Sequence, residues 1–192
     1  MTIIKPWQIL SSSITYQDEW LTLRADRCKA PRGRIIDPFH IVEASDWVNV
    51  VALTDRGDVV LIREYRHGAQ AVLLGIPGGV CDEADASPLD AAARELAEET
   101  GFACRELVHT GSAYSNCANH TNEIHYFLGF GAELTGRTNF DANEDIEVQL
   151  KPYKDFATYD FDGVKHTHHA AALFYAERYF KLHPDQKPGE ET

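Results

Sequence analysis

The alternation of hydrophobic and polar residues predicts strands interleaved with two helices. Two nearly continuous apolar and β-branched runs, residues 47–53 and 59–65, are joined by the turn sequence Asp55-Arg56-Gly57. This pattern indicates a hairpin whose strands are buried on both faces, at the centre of a sheet. Three further strands are predicted in the second half of the chain, at residues 107–113, 123–130 and 145–150.

The two ends of the chain differ from this central part. Within residues 1–43, Leu21, Leu23 and Ala25 alternate with polar residues and a Pro-Arg-Gly turn follows, which predicts an antiparallel N-terminal strand element. A periodic segment at residues 168–181, which Thr167 could cap, predicts the second helix. Residues 183–192 are polar and are expected to be a disordered tail. The fold class predicted from this order is an α/β/α sandwich around a mixed sheet.

The first helix is predicted at residues 88–100. Ser87 can cap it, Pro88 suits its first position, and Gly101 stands where a left-handed residue commonly ends a helix. A period of about 100° per residue predicts one buried stripe. Its members are Leu89, Ala92, Ala93, Leu96 and Thr100.

The adjoining face of this helix is acidic. Glu95 and Glu99 are one turn apart, and like charges at that spacing cost a few tenths of a kcal/mol, so something should offset the repulsion. One interpretation is a hard divalent cation, Mg²⁺ or Mn²⁺, which takes carboxylate oxygens as ligands. The other is a solvated face on which Arg94 pairs with Asp90 or Glu98 at i,i+4 spacing.

Composition limits the partners of the chain. The 192 residues are 44% hydrophobic, enough for a sizeable core, and carry a net charge of −12 with a pI of about 5.1. Such an acidic chain should repel nucleic acid and anionic membranes. The sequence has no long apolar run, and its four cysteines form no C-x-x-C pair, which favours reduced thiols and a cytoplasmic protein.

The stretch from Gly79 to Phe102 resembles the Nudix box of the Nudix hydrolases. Upstream, Gly79 is followed at the family distance by Asp85, where the pattern has Glu, and eight residues rather than seven then precede the Arg-Glu pair. Seven downstream positions match without a gap: Arg94, Glu95, Leu96, Glu98, Glu99, Gly101 and Phe102. The order of strands, box and final helix, over about residues 15–181, resembles the ADP-ribose pyrophosphatase-like subgroup.

The resemblance implies roles for particular residues. Glu95, Glu98, Glu99 and the carbonyl of Gly78 would bind metal, whereas Gly79, Asp85 and Arg94 would support the loop. Arg63 and Arg66 at the end of the second central strand are expected to bind phosphate, which Arg suits by its planar fork. A late acidic residue would act as the general base, and Glu144 on a loop is preferred over Glu147 on a strand.

Two other groups of polar residues leave alternatives open. Asn116 lies in a loop rich in Asn and His that suits a polar ligand, although an ordinary turn would look the same. His166, His168 and His169 lie together at the start of the second helix. No Cys or acidic residue stands at a matching spacing, which disfavours a metal site there.

The implied activity is metal-dependent hydrolysis of the pyrophosphate bond in a nucleoside diphosphate linked to another moiety, of the ADP-ribose or nucleotide-sugar type. Alternatives are a pyrophosphohydrolase of modified nucleoside triphosphates and a non-catalytic nucleotide sensor with the same fold. The subgroup also implies a homodimer, with residues 1–43 as the dimerisation element and residues 44–182 as the hydrolase domain. Trp7 and Trp20 would anchor that interface.

Overall fold

The structure is a computed structural model that describes residues 4–136, 138–139, 145–158 and 166–188. The chain divides into two compact units. Residues 1–45 and 114–123 form the N-terminal unit, and residues 46–113 and 124–192 form the larger unit. Residues 114–123, which the sequence assigned to the hydrolase domain, therefore cluster with the N-terminal strands.

The N-terminal unit contains a three-stranded antiparallel sheet, which confirms the predicted strand element. Its strands are β1 (Gln8–Gln17), β2 (Thr22–Lys29) and β3 (Ile35–Glu43), in the order β1-β2-β3. β1 is exposed along its whole length although it carries Ile9 and Ile14. The loop 114–123 is joined to β3, because the Thr121 amide donates to the Val42 carbonyl at 3.1 Å.

In its described residues, the larger unit contains a mixed sheet, two short strands and three α-helices. Its strands are β4 (Trp47–Leu53), β5 (Asp58–Arg66), β6 (Ala71–Gly75), β7 (Phe102–Ala103), β8 (Glu106–Tyr114), β9 (Glu123–Phe130), β10 (Glu133–Leu134) and β11 (Ile146–Pro152). Its helices are α1 (Pro88–Thr100), α2 (Tyr153–Ala157) and α3 (Thr167–Leu182). Among the described residues, no helix has the length and apolar character needed to cross a membrane.

The sheet has the order β11-β5-β4-β9-β8, with β6 on the free part of β5. β4 runs parallel to β9, whereas β5 is antiparallel to β4, β6 and β11. Because side chains alternate across a strand, Val48 and Val50 pack on the side of α1, whereas Val51 and Leu53 pack on the side of α3. This arrangement confirms the predicted sandwich around a mixed sheet, with the hairpin at its centre.

The two central strands diverge, and this divergence creates the loop before α1. β4 and β5 pair only through Leu53 and Val59. Beyond that point β6 pairs with β5, and the following segment pairs with β4, where Val50 N donates to Pro77 O and Val48 N to Gly79 O, both at 2.9 Å. Residues 71–80 are thus inserted between the two strands, a feature that hydrophobic alternation did not predict.

Helix α1 begins and ends as predicted, but its buried face differs. Ser87 Oγ accepts from the Asp90 amide, and Gly101 has the left-handed φ of 73°. Leu89 is 44% exposed and Ala93 is also exposed, whereas Ala91 and Glu99 are buried. The helix is therefore turned so that one acidic residue of the predicted polar face points into the protein.

Helix α3 also differs in its cap and its buried face. His166, rather than Thr167, is the N-cap, and its Nδ1 accepts from the His168 amide at 3.2 Å. Phe174, an alternative to Tyr175 on the predicted face, is 63% exposed, while Tyr175 stacks on Tyr126.

The described part of the predicted disordered tail, residues 183–188, contains a 3₁₀ turn at Pro184–Gln186. Two side-chain contacts attach it to α3: Tyr179 Oη donates to Gln186 Oε1 at 2.8 Å, and Lys187 Nζ lies 2.8 Å from Glu177 Oε2. These contacts explain why this part of the tail is structured.

Candidate active site

The loop inserted between β4 and β5 holds the buried carboxylate of Glu99. The Gly78 amide donates to Glu99 Oε2 at 2.8 Å, and Glu99 is only 4% exposed. Gly78 has a φ of 156°, and a Cβ there would lie 2.1 Å from the Val48 carbonyl oxygen, so only glycine fits. The loop backbone and the last turn of α1 are therefore fixed to each other.

Glu95 lies one turn earlier and also contacts this loop. A Cβ at Gly79 would lie 2.5 Å from the Glu95 carboxylate, so the missing side chain is what admits this carboxylate. The Glu95 side chain is 15% exposed, whereas that of Glu98 is 37% exposed. The three glutamates thus range from a buried position at Glu99 to a solvent-facing one at Glu98.

Arg94 connects the loop to the helix. Its Nε and one terminal nitrogen bind Asp85 at 3.1 and 2.9 Å, and that nitrogen also donates to the Val80 carbonyl at 2.9 Å. The other terminal nitrogen donates to Glu95 Oε1 and Glu98 Oε2, each at 2.9 Å. The Arg94 guanidinium holds the pKa of Asp85 below its usual range, and Asp85 in turn raises the pKa of Arg94.

These contacts bear on the two interpretations of the acidic face. Arg94 does pair with Glu98, and it offsets the repulsion between its two glutamate partners as well. Among the residues described, no three His, Cys, Asp or Glu side chains are gathered into a ready metal site. The donors are nevertheless carboxylate oxygens beside a glycine-rich loop, a chemistry that suits Mg²⁺ or Mn²⁺.

One of the two base candidates, Glu147, lies on β11, and one predicted phosphate ligand, Arg63, lies on β5. Glu147 stands opposite Arg63 in the register, both side chains are exposed, and Gln149 donates to Glu147 Oε1 at 2.9 Å. Val148 packs on the side of α1, so strand alternation directs Glu147 to the opposite face. Glu144 lies outside the described residues.

Arg66, the other predicted phosphate ligand, lies near the histidines of α3. Its terminal nitrogen is 2.5 Å from Glu64 Oε1, and its side chain is one-third exposed. It is close enough to His166 and His169 to contribute to the lowering of their pKa values. Asn116 belongs to the N-terminal unit, where its amide nitrogen donates to Asn119 Oδ1 at 2.9 Å within its own loop.

The sequence analysis weighed these histidines as metal ligands. It did not predict how the His169 side chain packs. A Cβ at Gly75 would lie 2.1 Å from His169 Cε1, so the imidazole fills the space that this glycine leaves. The His166 ring stacks on it with centroids 4.5 Å apart. Burial is the main cause that lowers the pKa of His166 to about 4 and that of His169 to about 3.

A signal for this buried histidine is present in the sequence. His169 is three and four residues before Ala172 and Leu173, so it shares their helical face. Its ring packs against the residue that starts the turn into the glycine-rich loop. The two flanking helices therefore both contribute a buried ionisable side chain beside this loop.

Comparison with known proteins identifies the family. The NUDIX domain matches residues 46–174, and a domain described as the nucleoside diphosphate sugar hydrolase N-terminal domain matches residues 7–42. Since the first match covers more than half of the chain, the protein belongs to the Nudix family and is a Nudix pyrophosphohydrolase. Within that family it resembles the ADP-ribose pyrophosphatase-like subgroup.

Three proteins similar in sequence to this chain indicate the subgroup and its range of functions. An ADP-ribose pyrophosphatase of Bacillus subtilis is 28% identical over 136 residues, which are 70% of this chain and 72% of that protein. An ADP-ribose pyrophosphatase of Mycobacterium tuberculosis is 34% identical over 50% of this chain and 46% of its own length. A methanol dehydrogenase activator of Bacillus methanolicus is 30% identical over 76% of this chain and 75% of its own.

A solved structure has the same fold. The crystal structure of an ADP compounds hydrolase superposes with a TM-score of 0.84 over 95% of this chain and 98% of that chain. At 19% sequence identity, this similarity supports the fold alone.

Proposed function

We propose that the protein hydrolyses the pyrophosphate bond of a nucleoside diphosphate linked to another moiety, of the ADP-ribose or nucleotide-sugar type. The observation that carries this proposal is the attachment of the glycine-rich loop to α1, through Glu99 on Gly78 and Arg94 on Asp85. Two relatives named ADP-ribose pyrophosphatase support this substrate class. The products would be a nucleoside monophosphate and the phosphorylated second moiety.

The reaction is proposed to depend on a divalent cation. Glu95, Glu98, Glu99 and the Gly78 carbonyl would hold Mg²⁺ or Mn²⁺. When bound, such ions neutralise the diphosphate and lower the pKa of water. Arg94 keeps the loop against the helix and holds two of these carboxylates in place.

Other side chains are proposed to act on the substrate and water. Arg63 and Arg66 would bind phosphate oxygens. Of the two base candidates, Glu144 is preferred, because strand alternation directs Glu147 to the sheet face opposite α1. Glu144→Gln should lower kcat with little change in KM, whereas Glu147→Gln should change neither much. If neither variant loses more than about tenfold, the base lies elsewhere.

The test of function is release of phosphomonoester from ADP-ribose, nucleotide sugars and nucleoside triphosphates, with Mg²⁺, with Mn²⁺ and with a chelator. Cation-dependent turnover of the diphosphates is expected. A preference for triphosphates would replace the proposed substrate class. Nucleotide binding without turnover would instead indicate a sensor.

A homodimer formed through the N-terminal strands is also proposed. β1, the residue before it and the turn after it expose large apolar side chains, among them Trp7 at 48% and Trp20 at 83%. Aromatic side chains of this kind commonly anchor protein interfaces. Light scattering at micromolar concentration should give a dimer mass that Trp20→Asp lowers towards the monomer. A monomeric wild-type protein would contradict this assignment.

A further inference from the structure

A chain of four hydrogen-bonding side chains runs across β8 and β9 to the residue before β4, and it includes none of the three glutamates of α1. Ser112 Oγ on β8 lies 2.7 Å from His125 Nδ1 on β9. His125 Nε2 lies 3.4 Å from Asp46 Oδ2, just before β4. On the other side, His109 Nε2 lies 2.9 Å from Ser112 Oγ. All four residues belong to the larger unit.

The positions of the protons in this hydrogen-bonded cluster follow from Asp46 at its end. The Asp46 carboxylate only accepts, so His125 carries its proton on Nε2 and leaves Nδ1 bare. Ser112 then donates its hydroxyl proton to His125 Nδ1. The serine oxygen can accept the Nε2–H of His109. Every contact in the chain is thereby a donor meeting an acceptor.

This order is that of a nucleophile, a general base and a carboxylate that orients the base. Ser112 and His125 are within the 2.6–3.2 Å that such a pair requires, and the contact from His125 to Asp46 is longer, at 3.4 Å. The resemblance lies in the order of the three groups and of their protons, with Nδ1 rather than Nε2 of the imidazole facing the serine.

The surroundings hold Ser112 in place while leaving it accessible. The Tyr175 hydroxyl donates to the Ser112 carbonyl at 3.1 Å, and the Tyr175 ring packs over Gly111, where a Cβ would lie 2.2 Å away. Ser112 itself is partly exposed, and the His125 side chain is 14% exposed. The backbone is thus fixed from one face of the sheet, and the hydroxyl is presented on the other.

We propose that Ser112 is a nucleophile activated by His125, and that it takes the acyl group of an activated carboxylic ester. Ser112 Oγ forms a bond to the acyl carbon, and the bond from that carbon to the leaving oxygen breaks. The hydroxyl proton passes to His125 Nδ1 and then to the leaving oxygen. The product is an acylated Ser112, formed by residues that the pyrophosphate reaction does not use.

The probe for this step is p-nitrophenyl acetate on the intact chain. Acetylation should be followed by nitrophenol release and mass, with the modified position read by peptide mapping, because the exposed Cys117 can also react. Ser112→Ala should abolish acetylation at this position. His125→Gln should slow it at least about a hundredfold, the usual contribution of a general base. Should His125→Gln fail to fold, Asp46→Asn tests the same order of groups, since it removes the carboxylate that orients the ring.

Ser115 provides a comparison within the same molecule. Its hydroxyl lies 3.3 Å from His120 Nδ1 but donates to the amide oxygen of Asn122, so these contacts link Ser115 to an amide and not to a carboxylate. Ser112 should therefore be acetylated much faster than Ser115. Equal rates at the two serines in the folded protein, or an unchanged rate in folded His125→Gln, would overturn the proposal. Glu99→Gln should keep the acetylation, which separates this result from failure of the proposed pyrophosphatase.

Discussion

Helices α1 and α3 lie on opposite faces of the same sheet. They differ in whether their ionisable side chains have charged or hydrogen-bonding partners. On α1, Glu95 and Glu98 share one guanidinium nitrogen of Arg94, and Glu99 accepts a backbone amide. On α3, His169 is 5% exposed, and within the described residues its Nδ1 has no hydrogen-bond partner. The acidic side chains of α1 are paired with a cation or an amide, whereas burial keeps the histidine of α3 neutral.

The difference teaches which of these side chains can take part in chemistry that needs charge. Arg94 of α1 lowers the pKa of Asp85, because the guanidinium lowers the cost of the negative charge on that carboxylate. The imidazoles beside Arg66 are kept neutral, because burial and the neighbouring cation both disfavour a second positive charge. We therefore expect the helices to respond differently to loss of a charge and to acid.

The largest effect is expected from removing charge on α1. Glu99→Gln keeps an oxygen that can accept the Gly78 amide, so the protein should fold, but it loses the negative charge. We expect kcat to fall at least about a hundredfold, the scale of a lost electrostatic contribution to the transition state. Initial rates at saturating Mg²⁺ and substrate measure this. Glu83→Gln, at an exposed loop position, is the matched control.

Near-normal turnover in folded Glu99→Gln would show that this carboxylate is not a metal ligand. The same outcome would remove the contrast between the helices, because the charge of α1 would then serve stability only.

What could be predicted from the sequence differs between these helices in the same way. The ends of α1 were predictable because Ser87, Pro88 and Gly101 act on their own backbone. The burial of Glu99 was not, since it depends on the amide of Gly78, twenty-one residues away. On α3 the cap was assigned to Thr167, and the packing of His169 on Gly75 is a contact between distant parts of the chain.

The strands show the same limit. The β4–β5 hairpin could be predicted from its apolar runs and turn, whereas β6 could not, because Ala71–Gly75 has no polar alternation and takes its place from the divergence of β4 and β5. The resemblance to the Nudix box could be recognised from the spacing of residues along α1. Its precise partners depend on tertiary contacts, which spacing does not contain.

The second prediction concerns acid and α3. The pKa of His169 is lowered from 6.5 to about 3, so the unfolded chain takes up a proton first as the pH falls. The stabilising neutral form is fully present above pH 6.5, and the free energy of unfolding decreases from there towards the folded pKa. Between pH 6.5 and pH 4 this residue should contribute a loss of about 2 kcal/mol, allowing for partial relaxation on protonation.

Urea unfolding at a series of pH values measures this loss. His169→Ala should be less stable at neutral pH, because it leaves a cavity, but its stability should fall less steeply with acid. His67→Ala, at an exposed position, should keep the wild-type slope. An identical slope in wild type and His169→Ala would mean that the histidine is not held neutral by the fold.

The smallest change is expected when the Arg94 guanidinium on α1 is replaced by an ammonium group of the same charge. Arg94→Lys keeps a positive charge and loses the planar fork that binds Asp85 through two nitrogens while reaching Glu95, Glu98 and the Val80 carbonyl. We expect the free energy of unfolding at pH 7 to decrease by about 1 kcal/mol, the value of a hydrogen bond or two partly replaced by water.

Arg105→Lys is the control, because its fork on Asp55 is similar but the arginine side chain is 59% exposed, where ion pairs contribute little. If the two substitutions cost the same, the half-buried setting of Arg94 does not strengthen its contacts, and pairing on α1 would be no more than a surface property.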